Sequence, residues 1–210
     1  MTGGNFNLVV RTKRWVKFFL NYVNEKLHGL DFSMVYVGDI QRNTAEFHGY
    51  SMTDAGDMKR MLQAIPVNPA DAAFLDIGCG KGMCMKCAAE SGYRKVAGLD
   101  LDRYLLDIAR ENMRRLKIDA ELICENAVDF AGYADYDVFY FYNPFGRPVF
   151  EQVIQKIKDS QKARDREIWV MYYHPVFAEL FEQAGFVLQK EIHDKTRDTT
   201  TRIYRYPKQG

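Results

Sequence analysis

The stretch FLDIGCGKG, from Phe74 to Gly82, decides the fold. Phe74, Leu75 and Ile77 form a short apolar strand, and Asp76 puts a carboxylate near its carboxyl end. Gly78, Gly80 and Gly82 then remove the side chains that would block a ligand. A helix is expected from Lys81, its free N–H groups turned towards whatever binds. The element reads first as a ligand-binding turn.

Outward from this turn, strand and helix patterns alternate. Strands are expected at Phe74–Ile77, Lys95–Asp100, Glu121–Cys124, Val138–Tyr142 and Ile168–Tyr173, with helices at Lys81–Ser91, Arg103–Leu116 and Arg147–Ser160. Such alternation means a parallel sheet with right-handed crossovers. Phe186–His193 and Thr201–Tyr206 are two further strand-like runs joined by a polar segment, which calls for an antiparallel hairpin at the end. Before the sheet, Trp15, Phe18, Phe19, Tyr22, Val23 and Leu27 recur at helical spacing among basic residues, and a second helix is expected over Thr53–Ala64. The chain divides into an N-terminal helical extension over 1–70, read as a packing element or lid, and an α/β domain over 71–210.

Composition narrows the function classes. With 29 basic against 28 acidic residues there is no excess charge to draw polyanions, so nucleic acid is not implied. No apolar run approaches the roughly 20 residues that span a bilayer, and no signal-peptide pattern opens the chain, so a soluble cytoplasmic protein is expected. Cys79, Cys84, Cys87 and Cys124 carry a spacing seen in iron–sulfur ligands. Buried free thiols in a reducing compartment account for them better, and the four histidines show no metal-site spacing.

The turn differs from the dinucleotide fingerprint G-x-G-x-x-G, since Met83 occupies the place of the third glycine. Asp100, about twenty residues past the turn at the end of the next strand, can accept both hydroxyls of a ribose. An adenosine ligand without phosphates fits this pairing. At this point LDIGCGKG followed by VAGLDLD resembles the first two motifs of the class I S-adenosylmethionine-dependent methyltransferases, over roughly Phe74 to Tyr206. The resemblance implies a Rossmann-like fold with a mostly parallel seven-stranded sheet, and S-adenosyl-L-methionine as cofactor with S-adenosyl-L-homocysteine as product. It further implies that Asp76 and the backbone of Gly78, Cys79 and Gly80, with Gly82, hold the methionine part. Asp100 would hold the ribose and Leu101 would lie against adenine. For Asp100 the competing role is a cap on the helix from Arg103, which Asp102 could fill instead.

Asn126 and Ala127 stand where the family places an acidic and a small residue near adenine; Asn126 can serve as an acceptor there or as a local cap. Tyr50, with Ser51, is placed by position over the cofactor pocket. Asn143, Pro144 and Phe145 resemble the N-P-P-Y/F motif of amino-group methyltransferases with one proline missing. Methyl transfer from a sulfonium is an in-line displacement that needs positioning more than a strong acid. In this reading the Asn143 Oδ1 and the Pro144 carbonyl accept the N–H groups of an amine, and Phe145 packs on the acceptor group. His174 is a proton-acceptor candidate or a structural turn residue at the same edge. The whole chain also resembles bacterial methyltransferase-like proteins that pair a GKG turn with an N-P-F tripeptide. The expected activity is N-methylation of a protein side chain or small molecule by a monomer or homodimer, the acceptor being unknown. The alternative is a module that holds the cofactor without catalysis.

Overall fold

The structure, a computed structural model, describes residues 12, 16, 19–33, 52–194 and 198–209. Helix α1 runs through residues 19–27, with residues 12 and 16 also helical. There follow α2 (Ala55–Gln63), β1 (Ala73–Ile77), α3 (Met83–Glu90), β2 (Lys95–Asp100), α4 (Arg103–Leu116), β3 (Glu121–Cys124), β4 (Val138–Phe141) and α5 (Arg147–Asp159). The chain continues with β5 (Ile168–Tyr173), α6 (Ala178–Gln183), β6 (Val187–Asp194) and β7 (Thr199–Tyr206). The seven strands form one sheet in the order β3-β2-β1-β4-β5-β7-β6. The first five are parallel, and β7 lies antiparallel between β5 and β6. This is the Rossmann-like, mostly parallel sheet with a C-terminal antiparallel hairpin that the sequence predicts.

Each central strand is covered on both faces, which is why β4 and β5 read as unbroken apolar runs and β1 is interrupted only by Asp76. Phe74, Val96, Tyr140, Met171 and Ile203 face one core with Met58 and Met61 of α2 and Met85 of α3. Leu75, Phe139, Phe141, Tyr172 and Tyr204 face the other with Phe150 and Ile154 of α5 and Phe181 of α6. The alternation follows the period of two along each strand.

Strand order reverses between β1 and β4: β1 pairs with β2 on one side and with β4 on the other. Open α/β sheets bind ligands in the crevice at the carboxyl ends of strands flanking such a switch point. The ends of β1, β2 and β4 carry the glycine turn, Asp100 and Asn143 respectively. The topology therefore gathers three separately recognised motifs along one edge.

The segment after α1 is pinned to the glycine turn through one amide. Asn112 of α4 is 1% exposed; its Oδ1 accepts the Asp31 N–H at 2.9 Å. Its Nδ2 donates to the Asp31 carbonyl at 3.0 Å and to the Lys81 carbonyl at 3.1 Å. Lys81, also buried, pairs its Nζ with Asp31 Oδ1 at 2.9 Å. Leu30 and Phe32 then join the first core. In contrast, Phe19, Leu20 and Leu27 of α1 are exposed.

Several expectations are corrected in detail. Helix α3 begins at Met83 and not at Lys81, because Gly82 sits at φ 86° in the left-handed region and caps the helix. β4 stops at Phe141, and the six-residue α6 had no sequence signal. Tyr50 and Ser51, placed by position over the cofactor pocket, lie outside the described residues. Cys79, Cys84 and Cys87 are buried free thiols, and Cys124 is a free, exposed one. Burial pushes the Cys87 thiol up to about 11. Among the described residues no group of three or more His, Cys, Asp or Glu side chains is arranged to hold a metal ion. No described helix is long and apolar enough to cross a membrane.

Candidate active site

The glycine turn is built by spending its own donors. The N–H groups of Gly78 and Cys79 both donate to the Leu99 carbonyl, at 2.8 and 3.2 Å, which stitches the turn to β2. Gly80 N–H donates to Asp100 Oδ2 at 2.8 Å, and Gly82 N–H to the Cys79 carbonyl at 2.9 Å. Four N–H groups that a phosphate-binding turn would present are thus engaged within the chain. The turn's lysine is drawn away into its pair with Asp31. Along the lip lie main-chain carbonyls and the carboxyl groups of Asp76 and Asp100, beside the uncapped start of α3. Such a lip suits a ligand carrying an amine, a sulfonium and hydroxyls, and repels a pyrophosphate.

Asp76 is 2% exposed. Burial first, and the nearby Asp100 second, hold its pKa well above the usual carboxylate value. A buried carboxyl at a crevice is costly to ionise and is relieved by an incoming cation. The linkage follows directly. With a folded pKa raised above the unfolded one, the native state binds the proton more tightly, so Asp76 weakens the fold increasingly as pH climbs from the unfolded value towards the raised one. Asp76→Asn is therefore expected to raise the melting temperature of the unliganded protein at alkaline pH, and to leave it unchanged below pH ~3, where the carboxyl is protonated in both states. Calorimetric melts across pH check this; equal melting temperatures for the two proteins at every pH would refute it.

Asp100 does structural work at the same edge. Its Oδ1 accepts the Asp102 N–H at 2.9 Å while Oδ2 holds Gly80. The cap of α4 falls to Asp102, whose Oδ1 accepts from Tyr104 N–H at 2.9 Å and Leu105 N–H at 3.4 Å. Each Asp100 oxygen retains a lone pair for a ribose hydroxyl. Leu101 beside it is 41% exposed, and Ala127 is buried with its carbonyl accepting from Tyr133 Oη at 2.7 Å. Asn126 Oδ1 accepts the Val128 N–H at 3.0 Å, a local turn cap.

The N-P-F turn touches the glycine turn. A Cβ placed on Gly78 would lie 2.7 Å from Pro144 Cβ, so the absence of that atom lets the two turns meet. Asn143 lies at φ 42°, left-handed and unusual for a residue with a side chain. Its carboxamide is held on every side: Oδ1 accepts Tyr172 Oη at 2.6 Å and Val176 N–H at 3.4 Å, and Nδ2 donates to the His174 carbonyl at 2.5 Å. Phe145, read as packing on an acceptor, is 6% exposed in the core, 6.2 Å from Phe150 between ring centroids. His174 is exposed at φ 50°, its N–H bonded to the Thr200 carbonyl at 2.7 Å.

Sequence reasoning missed three contributors. Tyr172 and Val176 meet Asn143 across a crossover, and Gly98 makes room for the turn. A Cβ on Gly98 would meet Met85 Sδ at 2.4 Å and Cys79 Sγ at 2.6 Å. Of these only Gly98, a glycine inside an otherwise apolar strand, carried a local signal of close approach.

Residues 74–163 match a family model described as a methyltransferase domain. An uncharacterised protein of Methanocaldococcus jannaschii is 31% identical over 55 residues, a match covering 26% of this chain and about a quarter, 25%, of that relative's length. Among solved structures, the Escherichia coli protein yhhF, named as a methyltransferase, superposes with a TM-score of 0.59 at 22% identity, covering 75% of this chain and 89% of that one. An RNA methyltransferase from Salinibacter ruber, solved with S-adenosyl-L-homocysteine, gives 0.57 at 16% identity, covering 75% and 94%. A TehB-like S-adenosylmethionine-dependent methyltransferase from Corynebacterium glutamicum gives 0.53 at 18%, covering 72% and 87%. At these identities the structural likeness concerns the fold. Residues 74–163 thus resemble a methyltransferase domain, and the seven-stranded sheet that holds them shares its fold with these solved structures.

Proposed function

We propose that the chain is an S-adenosyl-L-methionine-dependent methyltransferase that transfers the methyl group to a nitrogen of a small molecule or protein side chain. The observation that carries this is the contact of Gly78 with Pro144, which sets the glycine lip against the N-P-F turn. The cofactor would place its amino group near Asp76 and its ribose on Asp100, with the turn carbonyls of Gly78, Cys79 and Gly80 facing the sulfonium side. Bound there, it supplies a methyl carbon already activated for displacement. The protein's share is to aim the acceptor lone pair along the line of that bond and exclude water from it. Leu101, Asn126 and Ala127 would flank the adenine.

The test is methyl transfer from isotopically labelled S-adenosyl-L-methionine to panels of amine, amide, hydroxyl and thiol acceptors. Label on nitrogen acceptors supports the reading, and label only on oxygen or sulfur refutes the nitrogen assignment. Cofactor binding without label in any acceptor identifies a holding module instead.

A further inference from the structure

The ends of β4 and β5 form a braced pair. Asn143 and His174 both lie at positive φ, 42° and 50°, immediately beyond adjacent strands. Non-glycine residues persist in that region only where surrounding contacts over-determine them. Here the contacts are a closed set. Tyr172 Oη donates to Asn143 Oδ1 and itself accepts the Phe177 N–H at 3.2 Å, while Asn143 Nδ2 donates to the His174 carbonyl. Val176 N–H takes the second lone pair of Oδ1.

Both acceptor sites of the Asn143 amide oxygen are therefore filled from within the chain. The main-chain carbonyls of Asn143 and Pro144, by contrast, accept no hydrogen bond among the described residues. Burial pushes the Tyr172 phenol up to about 12, so it remains a donor throughout the neutral range.

We infer that Tyr172 is a positioning residue: it fixes the Asn143 carboxamide as a brace, and the amine of the substrate is received by the Asn143 and Pro144 carbonyls that the brace holds in place. The inference rests on the methyltransferase reading and deepens it. Substituting Tyr172 acts through Asn143, so the two substitutions should not add.

Sinefungin, in which a carbon bearing an amine replaces the sulfonium and its methyl, places N–H donors where the methyl would be. S-adenosyl-L-homocysteine lacks them. The ratio of the two affinities, from titration calorimetry, therefore reads the carbonyls facing the acceptor and is unmoved by a general loss of fold. Wild type is expected to prefer sinefungin. Tyr172→Phe and Asn143→Ala should each lower the preference about tenfold, and the double variant no further. If Asn143→Ala lowers the ratio and Tyr172→Phe does not, Asn143 contacts the amine itself and the inference fails. Preference unchanged in both variants, or absent in a wild type that binds S-adenosyl-L-homocysteine, also overturns it. A wild type that binds neither ligand overturns the methyltransferase reading, and the inference with it.

Discussion

Gly78→Ala is expected to destabilise the fold by about 2–5 kcal/mol and to abolish ligand binding at the crevice. Two costs combine. At φ 81° a side chain in the left-handed region carries roughly 1–2 kcal/mol. The new Cβ would also stand 2.7 Å from Pro144 Cβ and 3.6 Å from its Cγ, atoms of a rigid ring that cannot swing aside. One of the two turns must retreat. Because Gly78 N–H and Cys79 N–H hang on the Leu99 carbonyl, a retreat on the glycine side breaks the stitching to β2. Chemical denaturation and calorimetry with S-adenosyl-L-homocysteine check this. Wild-type stability in the variant would mean that the turns do not touch as described.

Asp100→Ala is expected to lower S-adenosyl-L-homocysteine affinity by at least about 100-fold while leaving α4 formed. The carboxylate makes two contacts before any ligand arrives, to Gly80 and to Asp102, so its loss frees the turn as well as removing the ribose acceptors. Helix α4 keeps its own cap in Asp102. Asp100→Asn should fall between, since an amide oxygen can serve one N–H while the amide nitrogen opposes the other. Affinity by calorimetry and helicity by circular dichroism separate these effects. Melting of α4 in Asp100→Ala would assign Asp100 the capping role instead.

Much of the scaffold was legible because it is local. β2, β3, β5 and α4 follow the residues expected of them, since apolar runs, an Asp cap and a β-branched or aromatic strand composition act within a few positions. Asp102 as the cap, and Asp100 freed from that role, follow from the same short-range chemistry. The glycine turn was readable as a binding element, but not the fate of its N–H groups, because Leu99 and Asp100 lie on another strand. The same reason hid the amide of Asn112, which joins α4, Lys81 and Asp31 across 81 and 31 positions of sequence. α6 was silent, being six residues without a side-chain cap. The acceptor side was the least legible part. An Asn-Pro turn announces a bend, yet whether its amide faces a substrate or a neighbouring tyrosine depends on which strand is brought beside it.

The arrangement has one consequence for ligand choice. With the N–H groups of Gly78, Cys79, Gly80 and Gly82 engaged and its lysine paired, the turn offers carbonyl and carboxyl lone pairs to the crevice. A nicotinamide dinucleotide would present its pyrophosphate to that surface, and an adenosine bearing a cationic amino acid would present complementary groups. The central claim is that the crevice selects the second. The most direct measurement is calorimetric titration of the wild-type chain with S-adenosyl-L-homocysteine and, separately, with oxidised nicotinamide adenine dinucleotide. The account predicts saturable one-to-one binding of the former at concentrations well below ~1 mM and none of the latter. Binding of the dinucleotide, with no heat from the homocysteine derivative at about 1 mM, would contradict it.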